Sequence, residues 1–331
     1  MLDHRLRYMK KLPPLKFIPQ PKERIWGGDN LKNKLKKPFL GNSIGESWEI
    51  STIKNSLSIV SEGVLKGEKL DKLIIDYEYR LIGKSIFEKF GYKFPLLIKF
   101  IDAKQDLSVQ LHPDDKIAKK HHNSNGKLEM WYIIKSMPDS KISVGFKENI
   151  SREKYLAYLK KNNLEKILNF KKVKPYDAFL INPGVVHSIG KNILLAEIQQ
   201  ASDITYRIYD YGRKDQKGNE RELHTNLANR AIKLEKDENY SVKYKPKKNK
   251  SVTLTNTEKF ITKLIIVDGE IILKLKKIDS FSILICLEGE ILYNETRIKK
   301  NLHFGETLFL PAEIELIKLK GKKTKILHIH M

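Results

Sequence analysis

One cysteine, Cys286, is all that the 331 residues contain. That excludes an internal disulfide framework and any zinc site built from several thiolates. No apolar run approaches the ~20 residues of a membrane span. The basic stretch Met1–Lys11 has no apolar centre of the kind a secretory signal carries. It reads as a loose extension, with Met9 as an alternative start. These absences point to the cytoplasm and away from a membrane. Acidic charge is also scarce: 40 Asp and Glu against 63 Lys and Arg, a net +23. Such a balance invites a nucleic-acid reading. The lysines, however, are spread along the whole chain, and no RNP-like or helix-turn-helix pattern occurs. Charge of this kind informs about non-specific association only, so no specific nucleic-acid partner is expected. A positive field also suits phosphorylated small molecules.

A hydrophobic content of 40% is enough for a sizeable core, and the length suggests one large unit with an appendage. Composition places the boundaries. Residues 1–13 are the extension and 14–240 the larger unit. The basic, proline-containing 241–250 is a connector, and 251–331 is a run of short strands. Helical spacing of Leu70, Leu73, Ile74 and Tyr77 predicts a helix between Leu65 and Phe90. Ser151 is placed as the N-cap of a second helix reaching Leu168. Asp114 to Asn125 reads as a polar loop with His121 and His122 in solvent.

The chain is organised around Leu107–Asp115. As a strand it presents Leu107, Val109 and Leu111 on one face and Ser108, Gln110 and His112 on the other, before Pro113 ends it. Gln110 and His112 can then point at one metal ion. Gly126 to Ile134 is a further strand, with Lys127, Glu129 and Trp131 on one face. That cation and carboxylate are either a surface pair or, given the aromatic surroundings, buried. His187 follows a turn at Asn182-Pro183-Gly184 and gains meaning as a third member with His112 and Glu129. Lys99 interrupts an apolar strand, Phe94–Asp102, and either snorkels structurally or serves a site. If the chain is extended from Asp203, then Asp203, Thr205, Arg207 and Tyr209 share a face. Arg207 there can grip a phosphate or carboxylate with its planar fork, or pair internally with Asp203.

These segments, in order, resemble the metal-dependent phosphomannose isomerases of the cupin superfamily, in their shorter bacterial form. The resemblance runs from about Pro14 to Ile232. It rests on Trp26-Gly27-Gly28, Gly45-Glu46-Ser47-Trp48, Ser108 to Asp115, Gly126 to Tyr132, Pro183 to Ser188, Asp203 to Arg213 and Glu222-Leu223-His224. It implies a mainly β, jelly-roll sandwich of two cupin-like units, the second without a clustered ligand set and non-catalytic. It also implies one zinc ion per chain held by Gln110, His112, Glu129 and His187, ligand types that zinc accepts. Arg207 and Lys127 would be catalytic in a sugar-phosphate pocket, with Ser108, Asp203 and Lys99 beside them and Trp26 and Glu46 near its mouth. Ile189 and Met130 depart from common family residues without removing a ligand, and Arg213 is the candidate for a more distal basic group.

The implied reaction interconverts mannose 6-phosphate and fructose 6-phosphate through a zinc-stabilised enediol. A metal ion can orient two oxygens and lower the cost of charge developing on them. The base that takes the carbon-bound proton is left open among Lys127, Lys99, Asp203 and a water on the metal. The protein would work as a monomer or homodimer. The competing readings are a non-catalytic sugar-phosphate-binding cupin and a cupin metalloenzyme of different chemistry.

Overall fold

The computed structural model describes residues 11–214, 218–236, 238–295 and 298–331. Three antiparallel sheets dominate it, and their strands alternate in which side each residue faces. The central sheet runs in the order Gln20–Gly28, Ile44–Ile50, Leu96–Ala103, Ile193–Gln200, Glu129–Ser136, Ala178–Ile181, Ser241–Val242. Its three middle and inner strands Ile44–Ile50, Leu96–Ala103 and Ile193–Gln200 are buried along their full length, because the sheet is covered on both faces. A second sheet has the order Tyr206–Tyr209, Val109–Leu111, His187–Ile189, Lys141–Phe146, Leu168–Lys172. The third contains Ser251–Asn256, Ile261–Lys274, Leu316–His330, Ser282–Glu288 and Thr307–Leu310, with the hairpin Glu290–Glu295 and Ile298–His303 beside it.

Alternation along the central strands sorts the core. Ile101, Trp131, Ile133 and Leu195 face the second sheet and pack with its Ile142, Val144 and Ile189. Leu96, Ile98, Met130 and Ala196 face the other way and share a core with Ile283, Phe309 and Leu327 of the third sheet. The outer face of the second sheet is covered by helical residues Tyr155, Leu164 and Ala228. The third sheet closes over its own interior through Cys286, Leu308, Leu319 and Ile326. The fold is thus a mainly β, cupin-type sandwich of two units that share one apolar layer. Gly28 fits where it does because a Cβ there would lie 2.4 Å from Asp102 Oδ2, which accepts the following Asn30 N–H at 2.7 Å.

Several sequence expectations change. The strand predicted over Leu107–His112 is only Val109–Leu111. Leu107 packs between the sheets, whereas Val109 and Leu111 pack towards the helices. The expected polar loop after Pro113 contains a helix, Asp115–His122, because Asp114 caps it by accepting the Ile117 N–H at 2.8 Å. The helix capped by Ser151 stops at Lys160 rather than Leu168, since Asn162 turns to positive φ and the chain re-enters a strand at Leu168. No unbroken strand starts at Asp203; it begins at Tyr206 and is irregular after Arg207. In the last third, the two strands expected over 260–275 are one, Ile261–Lys274, with an irregularity at Val267–Gly269. Residues 1–10 of the expected extension lie outside the described residues, and Leu12 already belongs to the core.

Candidate active site

The inward face of the central sheet carries its polar residues in a row. Trp48, Lys99, Glu197 and Trp131 are paired in register across four neighbouring strands. All four line a cavity of ≈ 710 Å³ between the first two sheets. The reason for Lys99 in an apolar strand is then plain. Its Nζ stands 2.8 Å from Glu197 and 3.5 Å from Glu46. Burial alone would lower its pKa, but the charges of Glu197 and Glu46 outweigh burial and raise it. Glu46 accepts from Trp48 Nε1 at 2.6 Å and from Arg24 Nε at 2.8 Å. Burial would raise its pKa, yet Lys99 and Arg24 pull the carboxyl down to about 2. Trp131 Nε1 donates to Glu197 at 2.9 Å. Every buried charge in the row has a partner, as a desolvated charge requires.

Behind Lys127 and Trp131, which line the cavity, His112, Glu129 and His187 gather without bordering it themselves. One potential ligand atom from each lies within 4.8 Å of the others. All three residues are 1% exposed. His112 Nδ1 donates to the Ile204 carbonyl and His187 Nδ1 to the Val185 carbonyl, each at 2.9 Å. Those bonds fix the tautomer that leaves both Nε2 atoms as acceptors, the arrangement metal-binding histidines use. Burial holds both rings neutral, His112 at about 3 and His187 also below the ordinary value. Burial would raise Glu129, but Lys127 and the histidines keep it well below the usual carboxylate range. Glu129 Oε2 and His187 Nε2 are buried without a hydrogen bond, although Lys127 Nζ and His112 Nε2 stand 3.2 and 3.3 Å from that oxygen. Neutral imidazoles, an ionised carboxylate and orphaned acceptors suit a divalent cation.

The second sheet supplies the opposite wall. Gln110 sits between His187 and Arg207 in the strand register, and its Oε1 accepts from Ser108 Oγ at 3.2 Å. Ser108, Gln110, Lys127, Asp203 and Arg207 all border the cavity, as do Trp26 and Glu46 from the first sheet. Arg207 is oriented by donating to Ser108 Oγ at 3.3 Å and to the Glu222 carbonyl at 2.8 Å. It makes no ion pair with the exposed Asp203; the alternative of an internal Asp203–Arg207 pair does not hold. Burial and the neighbouring Arg221 lower the Arg207 pKa.

Among the cavity residues that sequence alone did not single out as site residues are Arg24, Glu197, Arg221 and His224. Glu197 carried a usable signal, because a lysine in a buried strand demands an anion on the adjacent strand. Arg221 carried none; it borders the cavity and pairs with Asp210, whereas Arg213, the candidate for the more distal basic group, is tied to Asp210 and does not line the cavity. His122 is exposed, as expected, and also borders the cavity, where it bonds the Tyr206 hydroxyl at 2.8 Å.

Comparison with known proteins agrees with this geometry. The family model "Phosphomannose isomerase type I, catalytic domain" matches residues 15–154. Mannose-6-phosphate isomerase ManA of Bacillus subtilis is 41% identical over 222 residues, 67% of this chain and 68% of that protein. A putative mannose-6-phosphate isomerase of the same organism, YvyI, is 32% identical over 317 residues, 95% of this chain and 98% of its own length. The crystal structure of the mannose 6-phosphate isomerase from Bacillus subtilis superimposes with a TM-score of 0.88 at 30% identity, covering 97% of this chain and 100% of that one. A mainly β fold, a polar cavity between two sheets and relatives matched almost end to end lead to one assignment: the chain belongs to the type I phosphomannose isomerases, the mannose-6-phosphate isomerase family.

Proposed function

We propose that the chain interconverts mannose 6-phosphate and fructose 6-phosphate by moving a proton between adjacent carbons through an enediol, with zinc held by Gln110, His112, Glu129 and His187. The observation that carries this reading is the buried His112–Glu129–His187 group in contact with Lys127, which lines the same cavity as Arg207. When bound, the ion would supply Lewis-acid polarisation of the sugar's carbonyl and hydroxyl oxygens. The protein's own groups do the rest. Arg207, held in place by Ser108 and Glu222, presents its fork to the phosphate, a contact remote from the reacting carbons that contributes binding energy. Lys127 Nζ, 3.1 Å from His112 Nε2 and 3.2 Å from Glu129, is the group nearest the reacting centre that can move a proton.

Lys99 is a poor base, because its two carboxylate neighbours keep the ammonium protonated. It orients polar groups of the wall instead, with Glu46. Asp203 is exposed at the rim and suits a contact with sugar hydroxyls. Trp26 walls the cavity on its apolar side.

The test is a coupled assay of fructose 6-phosphate formation on metal-stripped protein, with and without added zinc, alongside His112→Ala. Turnover restored by zinc in the native chain and absent from the variant is expected. Tight zinc binding without turnover would sink the isomerase reading and favour a sugar-phosphate sensor.

A further inference from the structure

Lys127 is placed by bonds that lie outside the cavity. The residues on either side of it are held by one carboxylate and one amide. Asp115 Oδ1 accepts the Gly126 N–H at 2.8 Å and Gln200 Nε2–H at 3.0 Å. Gln200 Oε1 in turn accepts the Leu128 N–H at 2.9 Å, and the Gln200 N–H donates to the Leu128 carbonyl at 3.1 Å. The Lys127 N–H itself donates to the Pro113 carbonyl at 3.1 Å. Gly126 allows this close pass, since a Cβ there would lie 2.5 Å from Asp115 N. The free oxygen of Asp115, Oδ2, accepts from Lys259 Nζ at 2.6 Å, and Lys259 belongs to the third sheet's unit. Three consecutive backbone N–H groups at 126–128 are therefore satisfied by the Pro113–Asp115 segment and Gln200.

We propose that Asp115, braced by Gln200 and by Lys259 from the C-terminal unit, is a positioning residue that fixes the Lys127 ammonium at His112 and Glu129. Neither Asp115 nor Lys259 lines the catalytic cavity; they act through the backbone of 126–128. This gives the C-terminal unit a part in turnover without a reacting group of its own. The inference rests on the reading of Lys127 given above. Misplacing a reacting group by about 1 Å can cost about 10²-fold in rate, which sets the scale. The Lys259–Asp115 pair is partly exposed, at 30% and 49%, so its removal should cost only a few-fold.

The experiment measures kcat and KM of the zinc-supplemented full chain for Asp115→Ala, Asp115→Asn, Gln200→Met and Lys259→Met, each in the native and the Lys127→Met background. Asp115→Ala is expected to lower kcat about 10- to 100-fold with KM within about twofold. Asp115→Asn keeps the oxygen for Gly126 and Gln200 and should match Lys259→Met, within about threefold of the native rate. Loss of general acid–base help costs about 10²–10⁴-fold, which leaves the Lys127→Met enzyme within range of a coupled assay. In that background the further loss from Asp115→Ala should vanish. An equal loss in both backgrounds overturns the proposal, because a fall in folded fraction would multiply through unchanged. Should Asp115→Ala not fold, Gln200→Met carries the same comparison. The two readings fail differently: native kcat in Lys127→Met removes the role of Lys127 and the clamp with it, whereas a slow Lys127→Met with additive Asp115→Ala removes the clamp alone.

Discussion

At the scale of single residues, the cavity is governed by how buried charges are matched. Lys99 separates Glu46 from Glu197, so Lys99→Met leaves Glu197 buried without its cation. Breaking a buried pair in this way costs about 3–5 kcal/mol. Urea unfolding should show that loss, with part of it recovered in Lys99→Met/Glu197→Gln. Glu46 has a pH consequence of definite sign. Its folded carboxyl is held at about 2, below the ordinary 4.5. The stability it contributes is therefore complete above about pH 4.5 and is lost as pH falls through about 2. Unfolding free energy measured between those limits should fall less steeply in Glu46→Gln than in the native chain. A flat comparison would show that Glu46 is not held in this way. Lys99 was legible in the sequence as an anomaly. The need for a buried anion beside it was legible too, but strand register decided that the anion is Glu197.

At the scale of elements, period-two alternation located the strands that matter, but their ends depended on local bonds. Glu129 and Trp131 share an inward face as expected, and so do Ser108 and Gln110. The helix Asp115–His122 was missed because its polar residues show no apolar stripe; only Ala118 is buried. What starts it is Asp114, which caps the Ile117 N–H. Asp114→Ala should cost about 1 kcal/mol, read as a lower urea midpoint with unchanged slope. The helix behind Ser151 was legible at its cap, where Ser151 accepts the Lys154 N–H at 3.1 Å. Its end was not, since the stop depends on a left-handed Asn162.

For the whole molecule, the third sheet and the central sheet share one apolar layer. Polar links reinforce it. Glu49 pairs with Lys37 at 2.7 Å and accepts from Thr307 of the third sheet at 3.4 Å. We propose that 241–250 joins two units of the chain without marking a point where it can be cut. A fragment ending at residue 250 exposes the Ile98 and Met130 face. It should bind a hydrophobic dye and unfold without a cooperative transition, while the full chain does neither. No helix among the described residues is long and apolar enough to cross a membrane. The +23 charge is spread along the chain and sets a field rather than a site.

By itself the sequence determined the residue types of the candidate site, the shared face of Glu129 and Trp131 on their strand, and the jelly-roll architecture that its ordered segments imply. Those properties are local: alternation, caps and spacing are written within a few residues. Tertiary structure decided the partners. Lys99 meets Glu197, Arg207 meets Ser108, and Asp115 reaches Lys259, all across long stretches of chain. Such pairings follow from the register between strands and the packing of one sheet on another, where a one-residue slip would turn every side chain to the opposite face.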